Sequence, residues 1–250
     1  MTFESLVEEG AAVPVEGWDF GWFEGRATEE RPPWGYARLM GERMASSHRA
    51  LDVETGGGEV LAGIPVAPRL LVATESWPPN AALARERLRP RGGHVVAVAD
   101  EPTLPFASAS FDLVVSRHPV LTLWDEVARV LEPGGRYFSQ QVGAGSNREL
   151  TDFVMGPQHV SERRRPDRAR SAAEAAGLEV VDLRTCMLRV EFFDVAAVVH
   201  FLRKVRWTVP GFTPAAYESS LRRLHEQIRR DGVFVSHASR FLIEARRPER

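Results

Sequence analysis

Cysteine and lysine are the scarcest features of this 250-residue sequence, with one of each, Cys186 and Lys204. A lone cysteine excludes an intrachain disulfide and any Cys-x-x-Cys metal site, and it suits a reducing compartment, so a cytoplasmic location is expected. No metal ligand set is expected. The single lysine among 32 basic residues leaves arginine carrying nearly all the positive charge, which reads as compositional bias rather than as a site. No apolar run approaches the roughly 18–20 residues of a transmembrane helix. The start, MTFESLVEEG, has acids where a secretory signal needs basic residues followed by an apolar run. Neither sign of charge dominates, since the formal net charge is −2. That argues against a chain built to coat nucleic acid or an anionic membrane. Internal repeats and low-complexity linkers are also lacking, so the 250 residues are expected to fold as one large domain or one domain with a small cap.

What is present is an alternation of short apolar runs and helical stretches. Residues 1–33 are mixed, with aromatics at Trp18, Phe20, Trp22 and Phe23, and Trp34 to Ser47 has a helical period. Strand-like runs follow at ALDV (50–53), RLLVAT (69–74), HVVAVA (94–99), FDLVV (111–115) and Arg136 to Val142. Helical patterns at 80–88 and 124–131 lie between them. Apolar strands separated by helices indicate βαβ crossovers and a mostly parallel sheet covered on both faces. The expected fold class is therefore α/β, a Rossmann-like doubly wound sheet. Further on, Arg168 to Ala176 reads as a helix ended by Gly177, Leu178 to Leu183 as a sixth strand, Val195 to Val205 as a buried helix and Pro214 to Arg230 as an amphipathic one. Val233 to Ala245 has strand character, as two strands or as one with a bulge.

The informative segment is ALDVETGGGEVLA at 50–62, a strand, a glycine loop and a helix start. Glycines allow a tight turn and let backbone N–H groups approach a ligand. Glu75 ends the second run, about 20 residues on, where an acid can accept both hydroxyls of a ribose. Asp100 ends the third run and Glu101 follows it. GGGE is not GxGxxG, and no GxxxxGK[ST] loop exists, so nucleotide hydrolysis is unsupported. The loop carries no basic cluster for phosphates. Asp52, just before it, can organise the loop or meet a cationic ligand. Together these features favour a nucleoside ligand without phosphate.

On these residues the chain resembles the class I S-adenosylmethionine-dependent methyltransferases, in the broad group that methylates many small acceptors. The matching runs are LDVETGGGE at 51–59, ATE at 73–75, ADEPTLPFASASFDLVVSRH at 99–118 and EVARVLEPGGRYFSQQVG at 126–143. The resemblance implies S-adenosylmethionine as cofactor. It implies Gly56 and Gly58 at its methionine end, Glu75 at the ribose, Asp100 at the adenine and Leu104 packed on the adenine, with Asp52, Glu54 and Glu101 close by. It also implies a seven-stranded sheet with an antiparallel last strand, supplied by 233–245. One departure stands out: the family begins this loop with glycine, where this chain has Glu54. A glutamate there tolerates fewer backbone conformations and brings a carboxylate toward the amino-acid end of the cofactor.

His118, in SRHP just after the fourth run, is the candidate general base, because a histidine titrates near neutral pH. Arg117 is a candidate contact for an acidic acceptor. Gln140 and Gln141 end the fifth run, and strand alternation sends one toward the pocket and the other away. Residues 1–47 are expected to form a helical, aromatic cap, 48–250 the methyltransferase domain, and 192–217 an acceptor lid. The expected activity is methylation of an oxygen or nitrogen of a small organic molecule. An RNA- or protein-directed methyltransferase and a non-catalytic nucleoside-binding module are the alternatives. The arginines at 163–165, 168 and 170 are the only feature that favours RNA phosphates, and no RNA-binding module accompanies them.

Overall fold

The computed structural model describes residues 1–99 and 103–249. The strands are β1 (Ala27–Glu29), β2 (Arg49–Val53), β3 (Leu70–Glu75), β4 (His94–Ala97), β5 (Phe111–Arg117), β6 (Leu131–Val142), β7 (Glu179–Phe192) and β8 (Phe234–Arg246). The helices are α1 (Phe3–Ala12), α2 (Tyr36–Ala45), α3 (Glu59–Ala62), α4 (Pro78–Leu88), α5 (Trp124–Val130), α6 (Arg148–Met155), α7 (Pro166–Ala175), α8 (Val195–Lys204) and α9 (Glu218–Asp231). The strands join in the order β1-β7-β8-β6-β5-β2-β3-β4. From β6 through β5 and β2 to β4 the pairing is parallel, and β8 runs antiparallel to β6. The mostly parallel sheet with an antiparallel last strand is thus present, with eight strands instead of seven. The extra one is the three-residue β1, which pairs antiparallel with the end of β7. Its three residues carry no apolar period, so nothing in the sequence marks it.

The chain divides into two compact units, and two long strands run through both: β7 and β8 each begin in one and end in the other. The larger unit comprises residues 32–143, 162–186 and 240–250. Its strands send successive side chains to opposite faces, as the pleat requires. Ala50, Leu71, Leu113, Phe138 and Leu242 enter one buried cluster with Trp34, Tyr36, Met40 and Met44. Leu51, Val72, Val114, Tyr137 and Phe241 enter the other, with Val127, Val130, Ala169 and Ala173. Both faces being covered, the strands read as continuous apolar runs. Tyr36 stacks on Phe138 with ring centroids 5.2 Å apart, and the Arg43 guanidinium lies over the Phe138 ring, 4.0 Å from its centroid.

The smaller unit comprises residues 1–31, 144–161 and 187–239. Here α1 packs on α8 so closely that a Cβ at Gly10 would stand 2.4 Å from the carbonyl oxygen of Ala196. Asp194 caps α8 by accepting from the Ala197 amide at 2.7 Å, and Arg203 donates to the terminal carbonyls of α1 at Gly10 and Val13. Phe23 and Trp22 flank the buried His200 ring, and Trp18 contacts Trp207. Among the described residues no helix is long and apolar enough to cross a membrane, and no cluster of acids, histidines and cysteines is arranged to hold a metal ion.

In the larger unit a buried carboxylate, Glu244 of β8, ties α2 to the sheet. It accepts from Arg43 at 2.6 Å and from Arg136 at 3.0 Å. Burial pushes its carboxyl up, but the hydrogen bonds and charge of the two arginines outweigh this and hold it below the usual range. Its contribution is therefore present above the ordinary glutamate pKa and fades as the pH falls through the depressed folded value. Arg136 is half exposed and can turn to water, so the loss falls mainly on Arg43. Replacing Glu244 by Ala should lower unfolding stability at pH 7 by about 3 kcal/mol, read by urea denaturation, with a smaller difference at pH 3.

Candidate functional site

Parallel strands deliver their carboxyl ends to one edge, and ligands of open α/β sheets collect there. In register, Asp52 of β2 lies beside Ala73 of β3 and Val115 of β5, and Glu75 of β3 lies beside Ala97 of β4. The loop Glu54–Gly58, the end of β3 at Glu75, and Arg117–His118 after β5 therefore share one edge. Asp100 and Glu101, expected beyond β4, lie outside the described residues.

The loop is a left-handed turn made three times over. Glu54, Gly56 and Gly58 have φ of 59°, 64° and 78°. This region suits glycine and costs other residues about 1–2 kcal/mol, which is the physical reason for a glycine-rich loop here. The strand end stitches it down: the Thr55 amide donates to the Thr74 carbonyl at 3.0 Å, and the Glu54 amide to the Thr74 hydroxyl at 3.3 Å. Glu75 does most of the work. One of its carboxylate oxygens accepts from the Gly56 amide at 2.8 Å and the other from the Trp77 amide at 2.9 Å. Each oxygen keeps a further acceptor site. Glu75 therefore orders the glycine loop and the entry to α4 together.

Glu54 holds its strained conformation through its side chain. Its carboxylate accepts from the Val120 amide at 2.7 Å, joining the loop after β2 to the loop after β5. The half-buried Arg164 lies close by. Burial disfavours the charge of that guanidinium and Glu54 partly restores it. The loop after β5 is strained as well, since His118 has φ 56°. Sequence reasoning placed Arg164 only in the arginine-rich segment that could meet RNA phosphates, and it missed this cross-loop tie. No spacing signals it, because Arg164 and Val120 come from distant segments.

Asp52 is buried, and its carboxyl is pushed up to about 7. Burial is the main cause and the Glu75 charge adds to it, while Thr55 and Arg117 act the other way. The buried Thr55 Oγ1 nevertheless lacks a hydrogen-bond partner in good geometry. Leu104 is buried in the sheet cluster, and its amide donates to Glu126 at 2.7 Å. Gln140 and Gln141 diverge as alternation requires. Gln140 meets Trp34 and His118, whereas Gln141 donates to Thr122 at 3.0 Å. Arg117 is exposed.

Residues 51–139 match the family model described as a methyltransferase domain. A search of the curated proteins returns no match. Among solved structures, the chain is similar to a methyltransferase-like protein of Bacillus halodurans C-125, at TM-score 0.60 and 20% identity over 86% of this chain and 99% of that one. It is similar to phosphoethanolamine N-methyltransferase 2 of Haemonchus contortus, solved with phosphomonomethylethanolamine and S-adenosylhomocysteine, at TM-score 0.52 and 18% identity over 86% of this chain and 53% of that one. It is similar also to the [4+2]-cyclase SpnF, at TM-score 0.51 and 18% identity over 98% and 93%. At such identities these likenesses speak to the fold. The match therefore stands for residues 51–139 as a methyltransferase domain, and the fold agrees with it.

The residues present fit S-adenosylmethionine, the donor that the sequence resemblance implies. The orphaned Thr55 hydroxyl and the spare acceptor sites of Glu75 are open to further partners, and Asp52 is an acid that a nearby cation would drive to ionise. The pH consequence has a definite sign. The folded carboxyl is raised, so Asp52 costs nothing below its unfolded pKa near 3.8. The penalty grows as the pH rises from there toward 7 and is complete above it. Replacing Asp52 by Asn should therefore raise the Tm at pH 8 and leave it nearly unchanged at pH 4. A variant less stable than the parent at both pH values would remove this account.

Proposed function

We propose that this chain methylates an oxygen or nitrogen of a small organic molecule. The observation that carries the reading is the Glu75 carboxylate seated under the Gly56 amide, at neighbouring tips of parallel strands. It sets bare main chain and an acid side by side, the arrangement a nucleoside needs. Gly56 and Gly58 would face the methionine end of S-adenosylmethionine, Glu75 the ribose, and Asp52 and Glu54 the cationic groups near the sulfonium. Asp100, Glu101 and Leu104 are assigned to the adenine end by resemblance. When bound, the cofactor supplies the electrophilic methyl group, so the protein's task is mainly to position the acceptor and exclude water.

A small acceptor is favoured over RNA by the state of the arginine-rich segment. Arg165 pairs with Glu162 and Asp167, Arg168 lies 4.0 Å from Glu162, and Arg170 lies 3.8 Å from Glu174. Acids within the same segment thus answer these cations. Exposed Arg117, beside His118 at the same strand edge, supports an acceptor with an anionic group.

Calorimetry with S-adenosylhomocysteine should show binding to the intact protein. Replacing Glu75 by Gln presents an NH2 group to one of the two amides it now satisfies, and should weaken that binding by tenfold or more, about 1.4 kcal/mol. No detectable heat with the parent protein would sink the proposal. Methyl transfer from labelled cofactor to tRNA, but to none of a panel of small amines, phenols and acids, would transfer it to the nucleic-acid reading.

A further inference from the structure

Three side chains of the larger unit form a hydrogen-bond chain whose direction is fixed at one end. The Trp34 indole N–H can only donate, and it does so to Gln140 Oε1 at 2.8 Å. That contact sets which way the Gln140 amide faces. The NH2 group then stands 2.9 Å from His118 Nε2. An amide nitrogen only donates, so Nε2 must accept. A neutral His118 consequently carries its hydrogen on Nδ1. A second proton on Nε2 would set two donors against each other.

The surroundings act in the same direction. Trp34 and Gln140 are nearly fully buried. Among the described residues, the charges that act on the His118 ring are Arg117 of β5, Arg240 of β8 and Arg164 of the short turn 162–164. Burial first, and these arginines after it, hold the ring well below the ordinary histidine range. Glu54 engages the same loop two residues on, through Val120. The backbone is pinned too, since the His118 amide donates to the Gln140 carbonyl at 2.7 Å. Nδ1 has no partner among the described residues, and the ring is part-exposed at the carboxyl edge of the sheet.

We infer that His118 is a fixed hydrogen-bond donor that presents Nδ1–H to an anionic oxygen of the bound acceptor, with Gln140 and Trp34 as positioning residues that set its tautomer. This gives His118 a recognition role in place of the general-base role expected from the sequence, because the lone pair of Nε2 is already committed to Gln140. The ligand chemistry it fits is an anionic oxygen, for which a carboxylate serves as the probe. The ligand half of this inference rests on the proposed function, whereas the tautomer is a property of the protein alone.

Nitrogen-15 spectra of the histidine-labelled 250-residue chain read both halves. The expected result at pH 6 is a neutral His118 with a protonated Nδ1 and a bare Nε2. An Nε2–H tautomer or a charged ring at that pH would overturn the inference. Gln140→Glu retains an acceptor for Trp34 but sets a carboxylate against Nε2. It should flip the proton to Nε2 and raise the His118 midpoint by at least one pH unit. An unchanged tautomer in this variant would remove Gln140 from the positioning role. Trp34→Phe frees the amide to turn over and should populate the second tautomer, so the test does not depend on one variant folding. Titration with acetate, as a carboxylate probe, should move the Nδ1 signal of His118 more than that of any other histidine; no such movement would overturn the ligand half. Loss of S-adenosylhomocysteine binding with the expected tautomer intact would instead count against the proposed function alone.

Discussion

One carboxylate governs this site. Glu75 is buried at the end of β3, one strand in from the sheet edge, and accepts two backbone amides, one from the glycine loop and one from the start of the next helix. A buried charge is tolerated only when it is hydrogen-bonded, and the amides it uses would otherwise be orphans of two tight turns. Satisfying the acid and shaping the loop are therefore the same event. The strands contribute the rest. Only parallel neighbours put the ends of β2, β3 and β5 on one edge, and only a sheet covered on both faces supplies the apolar surroundings that move Asp52 so far from its solution behaviour.

Two of the four non-glycine residues with left-handed backbone among the described residues lie at this edge. Glu54 and His118 are both left-handed, and neither is glycine. Each is held by a bond that its own loop cannot provide. For Glu54 it is the Val120 amide, and for His118 it is the Gln140 carbonyl with the ring pinned by the Gln140 amide. The glutamate in place of a loop glycine is thus not a defect that the turn simply absorbs. It exchanges backbone freedom for a tie between the loops after β2 and β5, and that tie leads directly to the residue that carries His118.

The parts of the fold that were legible are those in which one local rule dominates. The runs at 50–53, 69–74 and 111–115 are buried on both faces, so they appear as uninterrupted apolar stretches. The glycine loop is legible because left-handed backbone selects glycine. The second half resists for a physical reason. β7 continues to Phe192, but its exposed stretch at Arg184–Met187 interrupts the pattern before the alternation Leu188, Val190, Phe192 resumes. β8 changes character along its length, alternating from Phe234 to Arg240 and then fully buried to Ala245. A strand that changes surroundings midway looks like two. Helices α1 and α6 do not stand out in the sequence, since α1 opens a mixed aromatic segment and α6 is only two turns long.

At the site, spacing identifies residues but not their partners. Glu75 and His118 are visible as acids and bases at strand ends, yet what each does is decided by atoms far away in sequence. Trp34 reads as the start of an amphipathic helix, and nothing about its position announces that its indole fixes an amide 106 residues later. Even so, that contact settles which nitrogen of His118 carries the proton, and hence whether the residue gives or takes a hydrogen bond. A histidine beside a strand tip invites the reading of a base, because its solution pKa is close to neutral. Part-buried against a fixed amide donor, with arginines around it, the same ring is held neutral and can act only by donating from its other side. Chemical role here follows from the direction of a hydrogen-bond chain, and that direction is set at its far end by the one group in it that has no choice.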